Sequence, residues 1–180
     1  KVLKERTQLH KILAENTWVF GDEFSLTVND QSLSEVLKIH LSKKGSTVHL
    51  DKPVTRVDGR VGIVDLMLTR SIGKNHSDER EHLVVELKAP KVNIGEDEIS
   101  QIKSYAFASL GDERFKHLKT KWSFWVISND LKPFAEMELK QDKTGRGIIY
   151  EIDNLTIYVK TWGELIQECK HRLEFVRDQL

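Results

Sequence analysis

Apolar residues recur at helical spacing from the start of the chain. Val2, Leu9, Ile12 and Leu13 fall near one stripe with Lys, Glu and Arg elsewhere, which predicts a helix over 2–15. Trp18 to Val28 reads as extended or loop-like, with Phe20, Phe24, Leu26 and Val28 partly alternating. A second helix is predicted over 32–43. Ser32 and Glu35 fit a capping box, Leu33, Val36, Leu37 and Leu41 form the apolar face, and Gly45 stops it. The period then drops to two. Segments 47–50 and 54–57 are short strand candidates, and 61–69 and 82–88 are strong ones. Pro90 ends the last of these. Glu96, Asp97 and Glu98 open a helix over 97–110 whose Ile99, Ile102, Ala106 and Leu110 line the buried side. A strand follows at 122–128, then a hairpin of 147–152 and 155–160 turning at Asp153-Asn154. A closing amphipathic helix spans 162–180, with Leu165, Ile166, Cys169, Leu173 and Val176 inward. The order is helices, a mostly antiparallel run of strands, a crossover helix, another strand, then a hairpin and helix. That order predicts one mixed α/β domain over 1–180.

Composition narrows the setting. The 180 residues carry 28 Lys+Arg and 28 Asp+Glu, a formal net charge of zero. This speaks against a bulk polycation that coats nucleic acid but leaves room for a local basic groove. The single cysteine, Cys169, excludes a disulfide framework or a thiolate zinc site within one chain, and the expected compartment is a reducing cytoplasm. Seven histidines show no zinc-ligand spacing. No apolar run approaches the ~18 residues that span a bilayer. The stretch Lys1 to Trp18 is charged and amphipathic, unlike a signal peptide. The chain begins with Lys-Val-Leu and is expected to be a piece of a larger protein, acting with further domains or as a homo-oligomer.

Three charges do not fit a solvated surface. Asp65 lies inside the apolar run VGIVDLMLT, and Glu86 and Lys88 lie inside HLVVELK. A charge in mid-strand of a core sheet costs several kcal/mol unless paired or bound to a metal. Alternation puts Glu86 and Lys88 on one face and Leu87 on the other, while Asp65 shares its face with Ile63 and Met67. If the strands form a hairpin, the midpoint of 65 and 86 falls between Asn75 and His76, inside the turn-like stretch 72–78. That register sets Asp65 opposite Glu86, about 5 Å apart. Two carboxylates there repel unless a cation or a proton lies between them. Mg²⁺ suits such a pair, because it takes oxygen ligands, waters and substrate phosphate. Lys88, one step along the same face, is placed to hold a metal-bound water or to stabilise charge on a phosphate oxygen. The competing assignment is a Glu86–Lys88 ion pair with Asp65 capping a turn. Gln101 and Tyr105 stand i,i+4 on the following helix and share one face.

Gly62-Ile63-Val64-Asp65, Glu86-Leu87-Lys88 and Gln101-Ile102-Lys103-Ser104-Tyr105 together resemble the PD-(D/E)xK nuclease superfamily. The Gln-x-x-x-Tyr element is similar to its RecB-like and NucS-like branches. Ala14-Glu15-Asn16-Thr17-Trp18 and Val84-Val85-Glu86-Leu87-Lys88-Ala89-Pro90 are similar to the nuclease domain of Shedu-type bacterial anti-phage proteins. The resemblance covers residues 5–130. It implies a restriction-endonuclease-like core, a mixed β-sheet flanked by helices, and Mg²⁺-dependent endonucleolytic cleavage of DNA, with Mn²⁺ able to substitute. It implies bacterial anti-phage defence or DNA repair as the setting. Asp65 and Glu86 would bind the metal, the Leu87 carbonyl would complete its shell, Lys88 would act in catalysis, and Gln101 and Tyr105 would line the site and contact the nucleic acid. Some members add an acid from the first helix; Glu5 fits by its position before Leu9 and Leu13, with Glu15 the alternative.

Basic residues are candidate phosphate contacts. Lys116, Lys119 and Lys121 form one run and Lys143 and Arg146 a second in a glycine-containing loop, with Arg60 contributing. The alternative for each is a plain solvated face. A catalytically silent nucleic-acid-binding or sensor module on the same fold is the second functional reading, and an assembly domain joined through 162–180 is the third.

Overall fold

The computed structural model describes residues 2–21, 23–42, 54, 59–71, 80–111 and 120–178. Helix α1 (Val2–Glu15) leads through a 3-10 turn (Thr17–Phe20) to β1 (Ser25–Ser32) and α2 (Leu33–Ser42). Then come β2 (Ile63–Ser71), β3 (Arg80–Leu87), α3 (Glu96–Gly111) and β4 (Thr120–Ser128). A short α4 (Pro133–Leu139), the hairpin β5 (Ile148–Ile152) and β6 (Leu155–Thr161), and α5 (Trp162–Asp178) complete the chain. The six strands make one sheet in the order β1-β2-β3-β4-β6-β5. β1, β2 and β3 run antiparallel, β3, β4 and β6 run parallel, and β5 is antiparallel to β6. The architecture is mixed α/β with helices on both faces of the sheet.

The centre of the sheet is more parallel than the alternation pattern alone suggests. A helix between two strands carries the chain back across a sheet face, so the next strand enters from the same end as the last. α3 does this between β3 and β4, while between β4 and β6 the antiparallel strand β5 makes the return. Such strands are buried on both faces and read as continuous apolar runs. In β3, Val84 packs toward α3 among Ile99, Ile102 and Ala106. Its neighbours Leu83, Val85 and Leu87 pack toward Leu13 of α1, Phe20 of the 3-10 turn and Leu165 of α5.

The helix boundaries follow their capping chemistry. Ser32 Oγ accepts the Glu35 N–H at 3.3 Å, as its spacing predicts. α5 has a reciprocal box in which Thr161 Oγ1 accepts the Glu164 N–H at 3.2 Å and Glu164 Oε2 accepts the Thr161 N–H at 2.6 Å. The outer helices bury less than their patterns predict. In α5, Leu165 is buried, but Ile166 and Leu173 are 52% and 57% exposed. The helix is held by Arg172 as well, which donates to the carbonyls of Val19 at 2.7 Å and Trp18 at 3.1 Å. In α1, Leu13 is buried while Ile12 is 57% exposed. The predicted strands at 47–50 and 54–57 lie outside the described residues apart from Val54, which is buried. No helix among the described residues is long and apolar enough to cross a membrane.

Gly147 sets how closely β5 enters beside β6. It has φ +86, and a Cβ there would meet the Val159 carbonyl oxygen at 2.5 Å. Its own carbonyl accepts the Val159 N–H at 2.8 Å. Gly147→Ala is expected to destabilise the fold by about 3 kcal/mol, combining a left-handed backbone with a contact no rotamer relieves. Urea unfolding measures this, and an unchanged midpoint contradicts it.

Candidate active site

The β2–β3 hairpin has the register the turn position predicts. Leu66 pairs with Val85 and Met67 with Val84, so one step further Asp65 comes opposite Glu86. Regular pairing stops at Leu66↔Val85. The next β3 donor on that side, the Leu87 N–H, is taken by a side chain, with Asp65 Oδ2 accepting it at 2.7 Å. Neighbouring main-chain groups of one strand residue lie along the same edge, so the Leu87 carbonyl belongs to the β2 side as well. Asp65 and Glu86 are 3% and 5% exposed.

Glu86 and Lys88 project from β3 toward α3, where Gln101 meets both. Lys88 Nζ donates to Glu86 Oε1 at 2.9 Å and to Gln101 Oε1 at 2.7 Å. The Gln101 amide nitrogen donates to Glu86 Oε1 at 3.0 Å and to the Tyr105 hydroxyl at 3.1 Å. The Tyr105 hydroxyl in turn donates to the Ile63 carbonyl at 3.1 Å, two residues before Asp65. The i,i+4 spacing of Gln101 and Tyr105 thus closes a network from β3 through α3 to β2. Tyr105 is 3% exposed, which makes it the anchor of Gln101. Gln101 and Lys88 are half-buried, so the network meets solvent through them.

These groups suit a hard cation. Asp65 and Glu86 present carboxylate oxygens at one level and Leu87 a carbonyl, an all-oxygen donor set matching Mg²⁺ with waters filling the remainder. No group of three or more His, Cys, Asp or Glu gathers among the described residues, so a zinc-type cage has no counterpart there. Glu5 belongs to α1 with its side chain outside the described residues, and Glu15 is exposed at the helix end.

The basic candidates divide by sheet end. Arg60 is exposed just ahead of β2, at the end that carries Asp65. The loop bearing Lys143 and Arg146 enters β5, whose start pairs with Tyr158 near the end of β6, and so lies at that end too. Three strand spacings separate β5 from β3, about 14 Å. Asp142 orders this loop. Oδ1 accepts the Thr144 hydroxyl at 2.5 Å and N–H at 2.8 Å, and Oδ2 accepts the N–H groups of Gly147 at 2.8 Å and Ile148 at 2.9 Å. These bonds, led by the Thr144 hydroxyl, hold its carboxyl well below the usual carboxylate range. Lys121 is not brought to the site. It pairs with Glu81, five residues from Glu86 along β3, about 17 Å away at the opposite sheet end. Lys116 and Lys119 lie outside the described residues. The sequence reading missed Lys91 and Lys132, both exposed after the carboxyl ends of β3 and β4. The two loops pair through the N–H of Ile94 on the carbonyl of Asp130, 2.9 Å, and the N–H of Lys132 on the carbonyl of Ile94, 2.8 Å. Lys91, three residues past Lys88, was the available signal.

Among solved structures, a repair endonuclease from Pyrococcus abyssi is similar to this chain, with a TM-score of 0.45 and 15% sequence identity. The likeness covers 87% of this chain and 46% of that one, so the chain spans about half its length. No protein-family model matches the chain. No curated protein matches it.

Tyr105→Phe keeps the ring and removes the hydroxyl that joins Gln101 to Ile63. A stability loss of about 1 kcal/mol is expected from leaving the Ile63 carbonyl without this donor. Urea denaturation reads it as a lower midpoint at unchanged slope.

Proposed function

We propose that this domain is a metal-dependent nuclease cleaving DNA phosphodiester bonds. The observation that carries the reading is the meeting of Asp65 and Glu86 at one level of the sheet, with Lys88 on the same face. Three buried or half-buried charges gathered at the end of a hairpin are costly as mere architecture. Asp65, Glu86 and the Leu87 carbonyl would hold Mg²⁺, with Mn²⁺ as a substitute. When bound, the ion supplies charge for the phosphoryl oxygens and acidifies a ligand water.

The chain's own groups divide the remaining tasks. Lys88 lies between Glu86 and Gln101, and its ammonium would donate to a phosphate oxygen of the substrate. Gln101 holds Glu86 and Lys88 in one orientation, and Tyr105 fixes Gln101. Packing around the pair limits water, which strengthens each of these interactions. Arg60, Lys91, Lys132, Lys143 and Arg146 share the sheet end with the site and would contact phosphates. A balanced net charge gives the domain little long-range pull on DNA, so further domains or a second copy of the chain would supply affinity. Bacterial anti-phage defence or DNA repair, in the cytoplasm, is the setting we assign.

The test is plasmid nicking with Mg²⁺ beside Mn²⁺ binding by calorimetry. Lys88→Met is expected to cut at least about a thousandfold more slowly while still binding Mn²⁺. Asp65→Ala is expected to lose both. Cleavage by Lys88→Met at the wild-type rate overturns the assignment. DNA binding by a wild-type protein that neither cleaves nor takes up Mn²⁺ favours a silent binding module instead.

A further inference from the structure

Asp65 sits just past the end of the regular β2–β3 pairing and opposite Asp30 of β1. Toward β3, the last regular pair before it is Leu66↔Val85. Toward β1, the register holds from Asn29↔Leu66 to Gln31↔Val64, and the intervening Asp30 has φ 54. His10 of α1 reaches this main chain from another layer, its Nε2 lying 2.8 Å from the Asp65 carbonyl oxygen. A carbonyl only accepts, so Nε2 carries the proton and donates. The same residue's carboxylate takes the Leu87 N–H at 2.7 Å. Asp65 is therefore gripped twice, through its main chain by α1 and through its side chain by β3.

We infer that His10 is a positioning residue of the candidate active site: its bond to the Asp65 main chain fixes the strand there and so aims the carboxylate at Leu87 and Glu86. The helix that carries His10 is seated by Leu13 in the layer of Phe20 and Leu165, on the face of the sheet away from α3. The site thus takes one of its constraints from the opposite layer. The claim about Asp65 needs no metal; only its consequence for metal affinity rests on the nuclease reading.

The experiment reads the Leu87 amide by hydrogen exchange in metal-free protein, with the Phe124 amide in mid-sheet as the control for global opening. His10→Ala is expected to speed Leu87 exchange at least about tenfold at unchanged Phe124 exchange, and His10→Gln, which retains an amide donor, to stay within about threefold of wild type. His10→Asn, one methylene shorter, is expected to behave as His10→Ala. Unchanged Leu87 exchange in His10→Ala overturns the inference, as does equal acceleration at Phe124. If His10→Ala does not fold, the Gln and Asn variants decide, and equal Leu87 exchange in those two overturns it. In the same proteins Mn²⁺ affinity is expected to fall about tenfold in His10→Ala and to recover in His10→Gln. A wild type that binds no Mn²⁺ removes the nuclease reading and leaves the exchange result to judge His10.

Discussion

Two carboxylates enclosed at the same level of one sheet form the constraint on which the rest of the site turns. Asp65 and Glu86 lose most of their hydration in a place where their charges oppose each other. Each is compensated differently. Asp65 takes a main-chain N–H from the neighbouring strand. Glu86 takes an ammonium and an amide on a single oxygen. Compensation by main chain is rigid, whereas compensation by Lys88 can be exchanged for another cation without moving a strand. The pair therefore combines a fixed member with an exchangeable one.

The two faces of the sheet contribute unequally. The α3 face supplies the polar groups, because Glu86 and Lys88 alternate onto it and the Gln101–Tyr105 spacing fits the gap between β3 and β2. The opposite face supplies apolar packing from Leu66, Leu68, Leu83, Val85 and Leu87, which carry the alternate positions of the same strands. A one-residue slip of β2 against β3 would separate the carboxylates and turn Leu66 into the polar cluster. Packing on one face thus enforces the register that places charges on the other.

Much of this was legible in the chain. The segments 61–69 and 82–88 announce themselves as buried strands, and turn residues centred between them determine the pairing of Asp65 with Glu86. The helical spacing of Gln101 and Tyr105 was equally plain. What escaped depends on long-range geometry. Strand direction decides which sheet end Lys121 occupies, and nothing in its own neighbourhood reports that direction. α4 has seven residues and leaves Phe134 and Met137 exposed, so no apolar stripe marks it. Tyr105 lies beside the buried stripe in projection, and only the approach of β2 encloses it. His10 meets Asp65 across 55 residues and between layers, with no local pattern to betray it.

The balanced charge acquires a different meaning once the sheet ends are distinguished. Several acids are engaged by donors: Asp65 and Glu86 in the site, Asp142 by its own loop, Glu98 on the Gly95 N–H at the start of α3, and Glu138 bound to Lys103. Such acids are tied to partners within the fold. Arg60, Lys91, Lys132, Lys143 and Arg146 stay exposed at the site end. Asp30, Glu96, Asp97, Asp130 and Glu136 stay exposed at the same end, so a polyanion approaching it meets both signs and senses their arrangement and not the total. That field decays within about 10 Å at ordinary ionic strength. A mixed surface of that range can orient an anion already in contact but exerts little pull on one at a distance.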